Sequence, residues 1–258
     1  MKQLFSLLFL FMLSSAAFTA FSQSSDVLYK DGEASLKGYF VKAQSASGKA
    51  PGVVIIHQWM GLSDHEKAVA GKLAALGYNA LAADIYGVGH MPASQQEAGK
   101  EAGKYKEDYI LFQSRIKAAI AELVKLGADP DKIVVIGYCF GGTGALEAAR
   151  GDLPVKGVVS FHGGLKKDEV RAVGKIGAKV LVLHGADDAS VSKTDIDNFQ
   201  QEMKAGAADW QMVWYANAVH GFTQKAAGND NSKGVAYNEK ADQRSWEHLL
   251  DFLGEVFR

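Results

Sequence analysis

Three short stretches carry residue types that can do chemistry together. "GYCFGG" (Gly137–Gly142) holds Cys139, the single cysteine of the chain; "HGADD" (His184–Asp188) supplies two carboxylates; "VHGF" (Val219–Phe222) supplies His220. A deprotonated thiol is a nucleophile, an imidazole can take its proton, and a carboxylate can fix the imidazole's tautomer. The chain order nucleophile, acid, histidine is one of the linear orders in which such a triad is found. Glycines before and after Cys139 let a strand and a following helix approach closely around a sharp turn. The thiol then projects at a helix N-terminus, where the dipole and free N–H groups favour a thiolate.

An acyl-transfer site also needs donors for a developing oxyanion. The N–H of Phe140, the residue after the nucleophile, is one. The second is expected from the loop after "VVIIH", where "HQWMG" places Gln58 and Trp59 at a strand's end, and the Trp59 N–H is preferred. Asp187 and Asp188 compete to orient His220. The H-G-x-x-D spacing favours Asp188, leaving Asp187 as a turn or capping residue.

The elements that would position these groups are legible as alternating patterns. "GVVIIH" (Gly52–His57), "ALAADIY" (Ala80–Tyr86), "KIVVIGY" (Lys132–Tyr138), "VKGVVSFH" (Val155–His162), "KVLVLH" (Lys179–His184) and "QMVWYA" (Gln211–Ala216) read as strands. Being apolar nearly throughout, they suit a parallel sheet covered on both faces. Helices are expected at about 63–77, 94–127, 141–150, 193–206 and 239–257, where Trp246, Leu249, Leu250 and Leu253 share a core-facing stripe. Asp31-Gly32 between two alternating runs predicts an antiparallel hairpin at the start. The fold class is therefore α/β, a mostly parallel doubly wound sheet with helices on both faces, in one domain over 23–258. Ligands bind at the carboxyl edge of such sheets, where "GVGHMPASQQ" (Gly87–Gln96) could form a rim.

Composition limits the partners. The chain has 258 residues, 48% hydrophobic, 22% charged, with a formal net charge of −1. Without a basic stripe, nucleic acid is not an expected partner. Residues 1–22 read as a secretory signal, with Lys2, the apolar run Leu4–Leu13 and cleavage after Ser22. The run is too short to span a bilayer, so no stable membrane association is expected once it is removed, and the chain is expected to be periplasmic or secreted. His57, His162 and His184 also fall at strand ends, but no H-x-x-x-H or H-E-x-x-H pair exists, and neither metal nor cofactor is expected. His184 is expected to pack under the acid loop. His65, His90 and His248 read as surface residues.

"GYCFGG", "HGADD" and "HGF", with "HQWMGL" and "AADIYG", together resemble the dienelactone hydrolase family across most of residues 26–258. The resemblance implies an α/β-hydrolase fold and hydrolysis of small-molecule esters or lactones by a Cys139–His220–Asp188 triad, with Phe140 and Trp59 as oxyanion donors. A pocket of Gln58, Trp59, Tyr86, Phe140, His162 and Phe222 is expected. Two departures stand out: Gln58 replaces the glutamate of well-studied members, and Val88 and Gln224 stand where arginines that grip a substrate carboxylate are expected. An amide can hydrogen-bond the thiol but cannot take its proton, so activation falls to His220, and dienelactone itself is not the expected substrate. Two other readings remain: a cysteine-dependent acyl transferase or envelope esterase, and a non-catalytic binding or redox-sensing protein on the same scaffold.

Overall fold

The computed structural model describes residues 23–44 and 48–258. The expected secretory signal lies outside them. No helix among the described residues is long and apolar enough to cross a membrane.

Strands β1 (Ser24–Asp31) and β2 (Ala34–Val41) form the expected hairpin, with Asp31 paired to Ala34 across Gly32. The parallel strands follow: β3 (Ala50–Ile56), β4 (Asn79–Ala83), β5 (Ala128–Tyr138), β6 (Gly157–Phe161), β7 (Lys179–Gly185) and β8 (Trp210–Tyr215). The sheet order is β1-β2-β4-β3-β5-β6-β7-β8, with β1 and β2 antiparallel to their neighbours and the rest parallel. From β3 the chain winds outward to β4 and then returns to the other side of β3 for β5. The two strands at this switch point are the ones that end in His57 and Cys139, and a crevice opens where crossovers diverge in this way.

Alternate strand residues feed two cores. Val54, Ile56, Val135, Val158 and Val182 face α2 (Gln95–Glu107), α3 (Tyr109–Lys125), α4 (Phe140–Arg150) and α5 (Lys193–Ala205). Val53, Ile55, Val134, Ile136, Val159 and Leu181 face α1 (Asp64–Ala75) and α6 (Glu239–Val256). Side chains alternate across a strand, so only a continuous apolar run satisfies both layers. Leu249 and Leu253 of α6 are buried as expected, whereas Trp246 and Leu250 are half-buried.

Two differences from the sequence reading have a local cause in one carboxylate each. The single helix expected over 94–127 is two helices, broken at Asp108 (φ −106, ψ 78), whose carboxylate accepts the Leu111 N–H at 2.9 Å and starts α3. Strand β4 stops at Ala83 rather than Tyr86, because the Asp84 carboxylate accepts the Gly87 N–H (2.9 Å) and the Lys37 N–H (3.0 Å) and turns the chain.

Helix α4 is buried along its whole length. Its far end is tied down by Arg150, which donates to both Glu202 oxygens at 2.8 Å, to Glu147 at 3.0 Å and to the Leu165 and Lys166 carbonyls. Every donor of this buried guanidinium that the network uses meets an acceptor, the condition under which a buried charge is tolerated. Its near end lies against the sheet: a Cβ on Gly137 would run into the Gly141 carbonyl, and one on Gly141 into the Ile56 carbonyl. Backbone cannot yield as a flexible side chain does, so Gly137→Ala is expected to lower stability by about 3 kcal/mol. Gly71→Ala, in α1 with open space around it, is expected to raise stability by roughly 0.5–1 kcal/mol through helix propensity. Urea unfolding of the two variants checks both; equal effects would contradict the packing argument.

Candidate active site

Strand β5 ends at Tyr138 and α4 begins at Phe140, so Cys139 alone turns the chain. It does so at φ 55, ψ −113, a conformation that non-glycine residues rarely adopt and that surrounding structure must enforce. The enforcement is visible: the Cys139 N–H donates to the Phe161 carbonyl (3.0 Å), and the Cys139 carbonyl accepts from Gly142 (3.0 Å) and Thr143 (3.3 Å). The Phe140 N–H, first in α4, has no acceptor within the helix.

The structure brings Cys139, His220 and Asp188 together. His220 Nε2 lies 3.0 Å from Cys139 Sγ, and Nδ1 lies 2.9 Å from Asp188 Oδ2. Asp188 can only accept when ionised, so Nδ1 carries the hydrogen and Nε2 faces the sulfur. Asp188 is buried while Asp187 is exposed, and Asp187's N–H is used on the Ala218 carbonyl. Ser190, two residues beyond Asp188, donates to Oδ1 from both Oγ (2.5 Å) and its N–H (2.9 Å), leaving Oδ2 for the imidazole. The motif D-x-S was a readable signal for this turn, since a serine two residues after an aspartate commonly closes one.

The electrostatics follow from these contacts. Burial disfavours a charged His220 ring, but the hydrogen bonds to Asp188 and Cys139 outweigh it and push the His220 pKa up to about 10. Burial likewise opposes ionisation of Asp188, yet bonds from His220 and Ser190 hold it down at about 2. His162 packs edge-on against His220, ring centroids 5.3 Å apart, with its Nε2 2.9 Å from Thr223 Oγ1. Burial, with the neighbouring His220, drives its pKa well below the ordinary histidine value, so it stays neutral.

Several expected pocket residues are core instead. Phe140, Phe222 and His162 are fully or almost fully buried. Phe222 lies tilted against Tyr215 and edge-on to His162, and Phe140 stacks on Phe112 at 4.7 Å. They support the site from beneath, because strand-end residues of a doubly wound sheet point into its layers as readily as out of its edge. Tyr86 is buried too, its hydroxyl donating to the Trp59 carbonyl at 2.8 Å, although it borders a cavity of about 270 Å³ together with Val88 and Met91. His65 and His248 are half-buried rather than surface residues: one sits edge-on to Tyr138 at 4.6 Å, the other lies 2.8 Å from the Tyr215 hydroxyl. His90 is exposed, and His184 packs against Trp214.

Gln58 and Gln224, both departures noted in the sequence, meet: the Gln224 side-chain amide donates from Nε2 to Gln58 Oε1. The Gln58 amide nitrogen faces buried Glu66 at 3.4 Å. Its side-chain hydrogen bonds run to these neighbours rather than to the thiol. Both glutamines border a cavity of about 650 Å³ with His65, Tyr138 and Trp246. A second cavity of about 380 Å³ touches Thr143 and Ser190. Among the described residues no cluster of three or more histidine, cysteine or acidic side chains is placed to hold a metal.

Sequence and structure comparisons agree on kinship. The sequence profile of the dienelactone hydrolase family matches residues 36–257. A Yersinia pestis protein named as a carboxymethylenebutenolidase is 24% identical over 235 residues, 84% of this chain and 83% of its own length. Two solved structures share 36% identity and cover 91% of this chain and 98% of their own: m3DLH (TM-score 0.86) and a dienelactone hydrolase-like promiscuous phosphotriesterase from metagenomic libraries (TM-score 0.85). With an α/β-hydrolase sheet, a cysteine elbow and this similarity over almost the whole described chain, the protein belongs to the dienelactone hydrolase family of ester- and lactone-cleaving enzymes.

Proposed function

We propose that this hydrolase cleaves carboxylic ester or lactone bonds through a Cys139–His220–Asp188 triad and an acyl-enzyme thioester. The observation that carries the reading is the unbroken line Asp188 Oδ2–His220–Cys139 Sγ, with contacts of 2.9 and 3.0 Å. In acylation sulfur bonds to the carbonyl carbon while the proton lying between Sγ and His220 Nε2 rests on the imidazole. The N–H groups of Phe140 and Trp59 receive the oxyanion. Collapse breaks the C–O bond, and the His220 proton goes to the departing alcohol. Water then attacks the thioester carbonyl, giving its proton to His220; the C–S bond breaks and the acid leaves.

The neutral Gln58–Gln224 pair supports uncharged substrates. A free carboxylate placed there would find amide donors but no guanidinium. Similarity to a promiscuous phosphotriesterase supports a second reading, in which the same thiol bonds to the phosphorus of a neutral phosphotriester, the P–O bond to the aryl group breaks and the His220 proton goes to the departing phenol. An aryl phosphotriester assayed beside aryl esters tests it, with Cys139→Ala as control.

Cys139→Ala is expected to lower turnover of a neutral aryl ester by at least about a thousandfold with an unchanged unfolding transition. Comparable activity in the variant would remove the nucleophile from the proposal. The proton that His220 gives to the departing alcohol is retained until pH rises through about 10, so the wild-type acylation rate, read in a single turnover, should fall on that alkaline side. Asp188→Asn removes the bond and charge that hold it. Its kcat should drop by about 10²–10⁴ and its alkaline limb should move toward the ordinary histidine value of about 6.5. An alkaline limb that stays in place in the variant would show that Asp188 does not set the charge on His220. Gln224→Arg should raise kcat/KM for esters bearing a free carboxylate relative to neutral ones, read from a paired substrate panel; no change in that ratio would mean that this pair does not face substrate.

A further inference from the structure

We infer that His57 is a positioning residue for the oxyanion hole, aiming the Trp59 N–H by clamping the peptide group that carries it. The inference rests on the thiol-dependent hydrolysis proposed above and adds to it a residue that neither reacts nor touches substrate.

The clamp is forced by hydrogen-bond bookkeeping. His57 is completely buried at the end of β3. Its Nε2 accepts the Ile85 N–H at 3.2 Å, and a backbone N–H can only donate, so Nε2 is unprotonated. A neutral imidazole with a bare Nε2 carries its hydrogen on Nδ1. That hydrogen has one acceptor, the Gln58 carbonyl, at 2.6 Å. Burial lowers the pKa of His57, which keeps the ring in this neutral form.

The Gln58 carbonyl also accepts the Gly61 N–H at 3.0 Å. In a trans peptide the C=O and the following N–H point in opposite directions within one plane. With the carbonyl held from two sides, the Trp59 N–H is turned away from His57 and Gly61. The next peptide is fixed as well, since the Trp59 carbonyl takes the Tyr86 hydroxyl at 2.8 Å. A loop residue is thereby given the rigidity of an element interior.

The same ring reaches the other donor's residue. His57 stacks on the Phe140 side chain, centroids 5.7 Å apart and 23° between planes, and meets Tyr86 edge-on at 4.6 Å. The close approach at Gly141, whose missing Cβ would strike the Ile56 carbonyl, brings the start of α4 against the end of β3. One buried imidazole thus bonds the peptide bearing the Trp59 N–H and packs on the residue bearing the Phe140 N–H. An oxyanion hole depends on donors preset toward the transition-state oxygen, and misplacing one loses rate without weakening ground-state binding.

The test separates positioning from general damage by using two reactions of one thiol. Alkylation of Cys139 by iodoacetamide forms an S–C bond and releases iodide without building an oxyanion. Hydrolysis of an aryl ester builds one. His57→Phe keeps a ring on Phe140 but loses the clamp; its kcat for the ester should fall by about 10- to 100-fold, with KM and the alkylation rate within about twofold of wild type. His57→Gln, whose amide carries both a donor and an acceptor, should recover most of that loss. Should the phenylalanine variant fail to fold, His57→Asn, whose shorter amide spans less of the gap between Gln58 and Ile85, should show the same split between hydrolysis and alkylation. Unchanged kcat in a folded variant, or alkylation falling in step with hydrolysis, would overturn the inference. Wild-type enzyme fully alkylated by iodoacetamide must lose esterase activity; survival of activity there would instead refute Cys139 as nucleophile and say nothing of His57.

Discussion

The site depends on one strained residue held between two close-packed backbones. Cys139 sits at positive φ because the peptide must leave β5 and enter α4 within a single residue. Such a conformation costs of order 1–3 kcal/mol, and it persists because the elbow is tied to the carbonyl of Phe161 and because Gly137 and Gly141 permit contact that any side chain would prevent. The gain is directional. The thiol lies at the carboxyl edge of the sheet, at the N-terminus of α4 and 3.0 Å from His220 Nε2. Burial of α4 throughout, with Arg150 anchoring its far end to α5 and to the Leu165–Lys166 loop, keeps the elbow from relaxing.

Around that fixed point the titratable groups are graded by environment. Asp188 stays ionised because every acceptor the site uses on it is met by a donor from Ser190 or His220. His220 retains a proton because it stands between that carboxylate and the sulfur. His162 and His57, equally close to the chemistry in sequence terms, stay neutral because both are buried without a facing carboxylate bonded to them. Three histidines of one residue type thus have different roles open to them, decided by their neighbours rather than by their spacing. The two glutamines behave similarly: each looks like an isolated departure in the sequence, and only their contact shows one neutral pair.

Much of this was legible in the residues themselves. The apolar runs identify the parallel strands, because a strand covered on both faces cannot alternate polar and apolar side chains. The glycines around Cys139, the H-G-x-x-D spacing and the ordered histidine identify the groups that meet at 2.9 and 3.0 Å. The break at Asp108 was not evident, since good helix formers flank it; the information lay in one carboxylate that caps a backbone N–H instead of facing solvent. Strand β4 stopping short of Tyr86 has the same origin in Asp84.

The sequence by itself determined the order of the three motifs and the glycine-flanked elbow, because these depend on local spacing and on glycine's lack of a Cβ. Only the tertiary structure decided which of those residues are sealed in the core and which border open space. His162 follows β6, Phe222 lies in the loop after β8 and Phe140 starts α4, yet all three are sealed beneath the site. His57 is bonded to a neighbour one residue away and to Ile85, 28 residues away. Burial and long-range hydrogen bonding arise when β3, β4 and β5 come side by side, and no pattern along a single strand records what the next strand will offer.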